Sequence, residues 1–352
     1  MEAAAPSWRK RVSRSAVSCV IVAALVLTAV PLLAEPSKPR IGERPVRIEV
    51  RAEPITFFDY QDNTRRRFGS LEFRGGLELT SAYPEFGGIS AIRVAPDGSH
   101  FIALSDQGRW LRGRIVYNGT HPVGIADADM APMLDASGQP LALRGWFDTE
   151  SIADDGGTLY VGIERVNRIV KFDYGKNGLL ARGEPVPVPA GVKTLPFNLG
   201  LESLAMLPKG MPLAGTLVAI SERGLDAAGN LKAFLIGGPT PGEFSVRRFD
   251  DFDISDCAIT PSGDLLLLER KFSWVRGLGI RIRRIAVANL QPGVVIDGPI
   301  IFTADLGQQV DNMEGISVHR TAGGDTVLTL ISDDNFSPLQ RTLLLQFTLM
   351  ND

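Results

Sequence analysis

The alternation of apolar and polar positions breaks the chain into short apolar strands separated by Pro/Gly/Asp turns, and the pattern recurs. Five segments superimpose: residues 88–98 (GISAIRVAPDG), 149–157 (TESIADDGG), 201–210 (LESLAMLPKG), 254–263 (ISDCAITPSG) and 313–324 (MEGISVHRTAGG). Each is followed by a second apolar strand, at 101–105, 159–163, 217–221, 265–268 and 327–332, so each unit opens with a β-hairpin. The equivalent positions Ser90, Glu150, Glu202, Ser255 and Glu314 lie 60, 52, 53 and 59 residues apart. Units of that size, with two buried strands followed by more polar ones, predict the blades of a β-propeller. No connecting stretch holds a helical period, and 184–188 and 244–249 read as outer strands. An all-β sandwich is the rival fold, but it leaves the repeat unexplained.

The expected architecture is therefore all-β, a single propeller over residues 46–352 with six blades preferred and five possible. Five blade starts are clear. Runs at 46–50, 55–58, 68–73 and 77–79 either make a degenerate sixth blade or complete the fifth. The strand at 342–349 is expected to pair with an N-terminal strand and close the ring, which removes an exposed sheet edge.

Composition agrees with a turn-rich fold. Gly and Pro supply 60 of the 352 residues, above the usual ~12%. With only Cys19 and Cys257, neither a disulfide framework nor a four-cysteine zinc site can form. At the N-terminus, Arg9, Lys10, Arg11 and Arg14 precede an uncharged apolar run from Ala16 to Leu33 and then Ala34. Residues 1–34 read as a secretory signal peptide or an uncleaved membrane anchor, and 35–45 as a Pro-rich linker. Both readings place the domain outside the cytoplasm, in the periplasm or beyond, the second with a membrane tether. Without residues 1–34 the chain has 33 basic and 39 acidic residues, a net charge of -6, which disfavours nucleic acid as a partner.

First strands of propeller blades line the central channel, so Glu150, Glu202 and Glu314 should converge there. Crowded carboxylates require a cation, protons or arginines, and Ca²⁺ suits an all-oxygen site. Asn198, Asp311 and Asn312 precede two of these strands as further oxygen ligands. A second acidic column is expected at Asp106, Glu164, Glu222, Glu269 and Asp333, three of them followed by Arg165, Arg223 and Arg270. Those arginines either bind an anionic substrate group or pair between blades to hold the ring in register. Asp127, Asp129, Asp154 and Asp155 are weaker candidates, the last two as turn residues. The chain has no Gly-x-Ser-x-Gly elbow and no Gly-rich phosphate loop. Its three histidines lack zinc-binding spacing, so catalysis would rest on carboxylates and a metal, with no organic cofactor.

Laid out in this way, the chain resembles the exported bacterial phytase-like family whose domain is described as having esterase-like activity. The resemblance rests on 86–92 (FGGISAI) with 103–108 (ALSDQG), 147–152 (FDTESI), 201–204 (LESL) with 221–223 (SER), and 312–316 (NMEGI) with 332–335 (SDDN), and it spans roughly residues 80–350. It implies a propeller hydrolase, six-bladed as in propeller phytases, acting with calcium on a small-molecule ester or phosphate ester. On the repeated Glu column, the catalytic and metal-binding groups of such a hydrolase are expected to be Glu150, Glu202 and Glu314, with Arg165, Arg223 or Arg270 orienting an anionic group of the substrate. A lactonase-like propeller and a non-catalytic envelope module that binds a ligand or protein remain the alternatives.

Overall fold

A computed structural model describes residues 44–273 and 277–350, together with Met1. The expected signal or anchor lies outside the described residues. Among those described, no helix is long and apolar enough to cross a membrane.

Five antiparallel blades form the ring. The first runs Ile89–Val94, His100–Ser105, Arg109–Asn118 and His121–Pro132, with Val46–Arg47 on its outer edge. The second comprises Thr149–Asp155, Thr158–Ile163, Arg168–Asp173 and Arg182–Val186, and the third Leu201–Met206, Thr216–Leu225, Leu231–Gly237 and Gly242–Val246. Asp253–Ile259, Asp264–Ser273, Gly277–Ala286 and Ile300–Asp305 make the fourth. The fifth begins with Met313–Arg320, Thr326–Ser332 and Thr342–Leu349, and is completed from the other end of the chain by Leu71–Thr80 and Arg51–Ile55.

The preferred sixth blade is thus corrected to five. The last repeat has only three strands when the chain reaches Leu349, so its outer positions are open. Leu71–Thr80 fills them antiparallel, from Leu349 opposite Leu71 to Thr342 opposite Leu79. N- and C-terminal strands share one sheet, the ring is closed by main-chain hydrogen bonds, and no free edge remains on that strand.

Each first strand abuts the first strands of both neighbouring blades, which places these five strands around the axis. The apolar faces of adjacent blades meet in five hydrophobic clusters, one per seam. The seam between the fourth and fifth blades is aromatic: Phe58 packs edge-on against Phe68 and Phe347, with ring centroids 4.8 and 5.1 Å away. These clusters account for the near-continuous apolar second strands, which are covered on both faces.

Candidate active site

In every blade the strand pairing slips at the same place. The ladder skips Ser90, Glu150, Glu202, Ser255 and Glu314, each the extra residue of a β-bulge between its first and second strands. A bulge re-aims the unpaired side chain. In the second, third and fifth blades this side chain is a glutamate that lines a cup of about 680 Å³ at one end of the channel.

A second ring lies one residue beyond the pair that precedes the bulge. Ile89 faces Ser105, Thr149 faces Ile163, Leu201 faces Ser221 and Met313 faces Ser332, so the next residues, Asp106, Glu164, Glu222 and Asp333, turn into the cup. In each case the backbone N–H of the acid donates to the carbonyl of the residue two before the bulge position: Gly88, Asp148, Gly200 or Asn312, all at 2.9 Å.

In the fourth blade Ile254 faces Glu269, so the equivalent cup residue is Arg270. Assigning Glu269 to the acidic column was an error of one residue, which in a strand reverses the face. Glu269 is fully buried on the other side. There it accepts hydrogen bonds from Arg281 Nε at 2.6 Å and from Arg283 Nη2 at 2.6 Å.

Arg270 is therefore the one cation built into a ring of acids. Its Nη1 lies 2.7 Å from Glu314 Oε1, and Nη2 lies 3.4 Å from Glu202 and 3.6 Å from Glu222. Burial works against its charge, but these carboxylates more than offset that and raise its pKa. The Asn312 side chain joins the same knot, donating to Glu314 Oε1 at 2.7 Å and accepting from Arg270.

The cup is lined by nine carboxylates, from Asp106, Asp148, Glu150, Glu164, Glu202, Glu222, Asp311, Glu314 and Asp333, against two arginines. Desolvation, joined at most of them by like charges, shifts protonation upward at Asp106, Asp148, Glu150, Glu164, Glu202, Glu222, Glu314 and Asp333. Glu164 is raised to about 8, and Glu314 and Asp333 to about 7. Glu150, Glu202 and Asp106 are pushed well above the carboxylate range. One oxygen from each of Glu164, Glu202 and Glu222 lies within 4.8 Å of the others. Two buried carboxylate oxygens, Asp106 Oδ1 and Asp148 Oδ2, have no hydrogen-bond partner. An all-oxygen, over-acidic donor set of this kind fits a hard divalent cation.

The structure brings Glu150, Glu202, Glu314, Asn198, Asn312, Arg223 and Arg270 to the cup. Arg165 falls outside its lining; the guanidinium stacks over Phe147 at 4.2 Å, and its charge favours the ionised form of Asp148. Arg223 lines the rim but is tied to Asp253 of the next blade, with Nε 3.0 Å from Oδ2. Asp127 and Asp129 pair with Arg47, Arg112 and Arg114 on the first blade, away from the cup. Asp148 was missed in the sequence although the signal was present, since it stands two residues before Glu150 as Asn312 stands before Glu314.

Below the rings, Arg93 fills the channel. It pairs with Asp256 at 2.9 Å and donates to the carbonyls of Ile92, Leu204, Cys257 and Ile316. One side chain thus ties together the inner strands of four blades.

No curated protein matches the chain. Among solved structures, the PQQ-bound aldose sugar dehydrogenase of Streptomyces coelicolor is 12% identical, with a TM-score of 0.37 over 88% of this chain and 100% of that one. The β-propeller domain of Cps50 (Swd1) from Myceliophteria thermophila is 13% identical, with a TM-score of 0.34 over 73% of this chain and 70% of that one. The phytase-like family model, described as "Esterase-like activity of phytase", matches residues 84–336, a span that contains both rings, and the chain belongs to that family.

Proposed function

We propose that this propeller is a metal-assisted ester hydrolase working in the acidic cup, with Glu164, Glu202 and Glu222 holding a hard divalent cation, calcium by the donor chemistry. The observation that carries this reading is the convergence of the three carboxylates within 4.8 Å in a cup where burial already drives acids to take up positive charge. A bound cation of this type polarises a carbonyl or phosphoryl oxygen and lowers the pKa of water. Arg270 fixes the orientation of Glu202 and Glu314 from the side. We assign Glu150 the transfer of a proton to the leaving group, because it lines the cup and burial, with acids beside it, raises its pKa well above that of an ordinary carboxyl.

The arginines argue for a carboxylic ester over a phosphate ester. Arg165 is outside the cup, Arg223 is engaged by Asp253, and Arg270 is engaged by three glutamates. An anionic group would meet mostly carboxylates unless the cation received it. Hydrolysis of a panel of simple carboxylic and phosphate esters should require calcium, stop on chelation, and fall at least a hundredfold in Glu202→Gln. Activity that is indifferent to chelator and to Glu202→Gln refutes the reading. Absence of turnover across the panel with calcium present would favour a binding module.

A further inference from the structure

The acidic floor has an apolar wall. Leaving aside Met1, the four most exposed large apolar side chains among the described residues are Leu339 at 91%, Phe272 at 66%, Phe197 at 65% and Leu306 at 60%. Leu339, Phe272 and Leu306 all line the cup, and Phe197 directly precedes Asn198 and Leu199, which also line it. Singly exposed apolar residues are ordinary, but the most exposed ones gathered at the mouth of one cavity mark a binding surface. The wall is held in place by the fold. Phe272 faces Leu278 across the second hairpin of the fourth blade, and Leu306 lies against Gly277 of the same hairpin, where a Cβ would come within 2.7 Å of it. Val310, itself buried, adds a further apolar side chain to the cup lining.

We infer that the cup takes an ester with an apolar acyl or alkyl chain, the chain lying along Phe272, Leu306 and Leu339 and the ester group over the carboxylate rings. This specificity rests on the hydrolase reading above and adds the chemical class of its substrate. The volume, about 680 Å³, is that of a small-molecule site. A wholly polar, multiply phosphorylated substrate would leave the apolar wall wet and bring its charge against nine carboxylates. In the reaction, water adds its hydroxyl to the acyl carbon, the acyl C–O bond breaks, and the remaining proton passes to the alcohol oxygen.

The test uses a homologous series of n-alkyl esters from ethyl to hexyl with the intact protein and calcium. Burial of each methylene predicts a rise in kcat/KM of about three- to fourfold per step. The slope should flatten in the double variant Leu306→Ser/Leu339→Ser, whose exposed positions leave the fold intact by thermal unfolding. A flat or falling series, or a slope unchanged in the variant, overturns the inference. Binding of the non-hydrolysable n-alkyl methyl ketones, followed by NMR titration, reads the wall independently of turnover. Ketone affinity that climbs with chain length while no ester is hydrolysed removes the hydrolase reading and keeps the wall. Ketone affinity that is flat while esters turn over removes the wall alone.

Discussion

Replacing Arg270 by methionine removes the one cation that, among the described residues, the strand register sets among Asp106, Glu164, Glu222 and Asp333 in the second ring of the cup. Its guanidinium sits 2.7 Å from Glu314, 3.4 Å from Glu202 and 3.6 Å from Glu222. Methionine keeps most of the side-chain volume, so the change is mainly one of charge. Removing one partner of a buried pair costs about 3–5 kcal/mol because the other charge is left uncompensated. That cost depends on the glutamates being ionised. Burial already holds Glu314 near pKa 7 with the arginine present to lower it, so without Arg270 its pKa rises further. At pH 5 the carboxyls of the variant are protonated and most of the penalty is relieved; at pH 8 it is felt. Converted at about 2–3 °C per kcal/mol for a domain of this size, the loss in Tm is roughly 10 °C at pH 8 and a small fraction of that at pH 5. Thermal unfolding followed by circular dichroism at both pH values, with chelator and with saturating calcium, is the assay. Calcium should restore more of the loss in the variant than it adds to the parent, since it fills the place of the missing charge. An equal loss at pH 5 and pH 8, unaffected by calcium, would show that Arg270 acts through packing and would refute the counter-charge argument.

The parent protein should itself lose stability as pH rises in chelator. Glu164, Glu314 and Asp333 keep protons in the fold to pH 7–8 that the unfolded chain releases above its ordinary carboxyl pKa of 3.8–4.5, so the folded state binds more protons across that window. Stability then falls by up to ~1.4 kcal/mol per pH unit for each group, and a Tm that is level from pH 5 to pH 8 in chelator would contradict it. Arg93→Met should cost about 3–5 kcal/mol with no recovery on adding calcium, because the Arg93–Asp256 pair lies outside the cup lining; a calcium-dependent rescue in thermal unfolding would count against this placement. Arg283→Met should lower stability by about 3 kcal/mol by exposing the charge imbalance on Glu269, yet leave chelator-sensitive hydrolysis in place, and a matched loss of turnover in the folded variant would show that Glu269 serves the site after all.

Much of the site could be read one blade at a time. Glu150, Glu202 and Glu314 stand at one repeated offset before an apolar strand, and that offset is where each ladder bulges. The apolar wall carried no such sign: Phe272 lies near the end of a strand of the fourth blade, Leu306 follows that blade's last strand and Leu339 lies in a turn of the fifth, positions with no common offset that only the folded chain brings to one cup. Arg165, alike in sequence to Arg223 and Arg270, ends on Phe147 because the chain leaves the strand for a 3-10 turn at Glu164–Val166.

The sequence by itself determined the repeat, the hairpin at the start of each blade and the gathering of acids at the channel, because strand periodicity and turn chemistry are local properties. Tertiary structure alone decided three matters. It fixed the number of blades, since whether residues 51–80 stand apart or complete the last sheet depends on pairing with a strand some 270 residues away. It placed Arg93 across four blades, a contact set that no linear pattern records. It also decided which member of the Glu269-Arg270 pair faces the cup. A strand alternates its faces every residue, and a register shift of one turned an expected fifth acid into the cation that the other carboxylates surround.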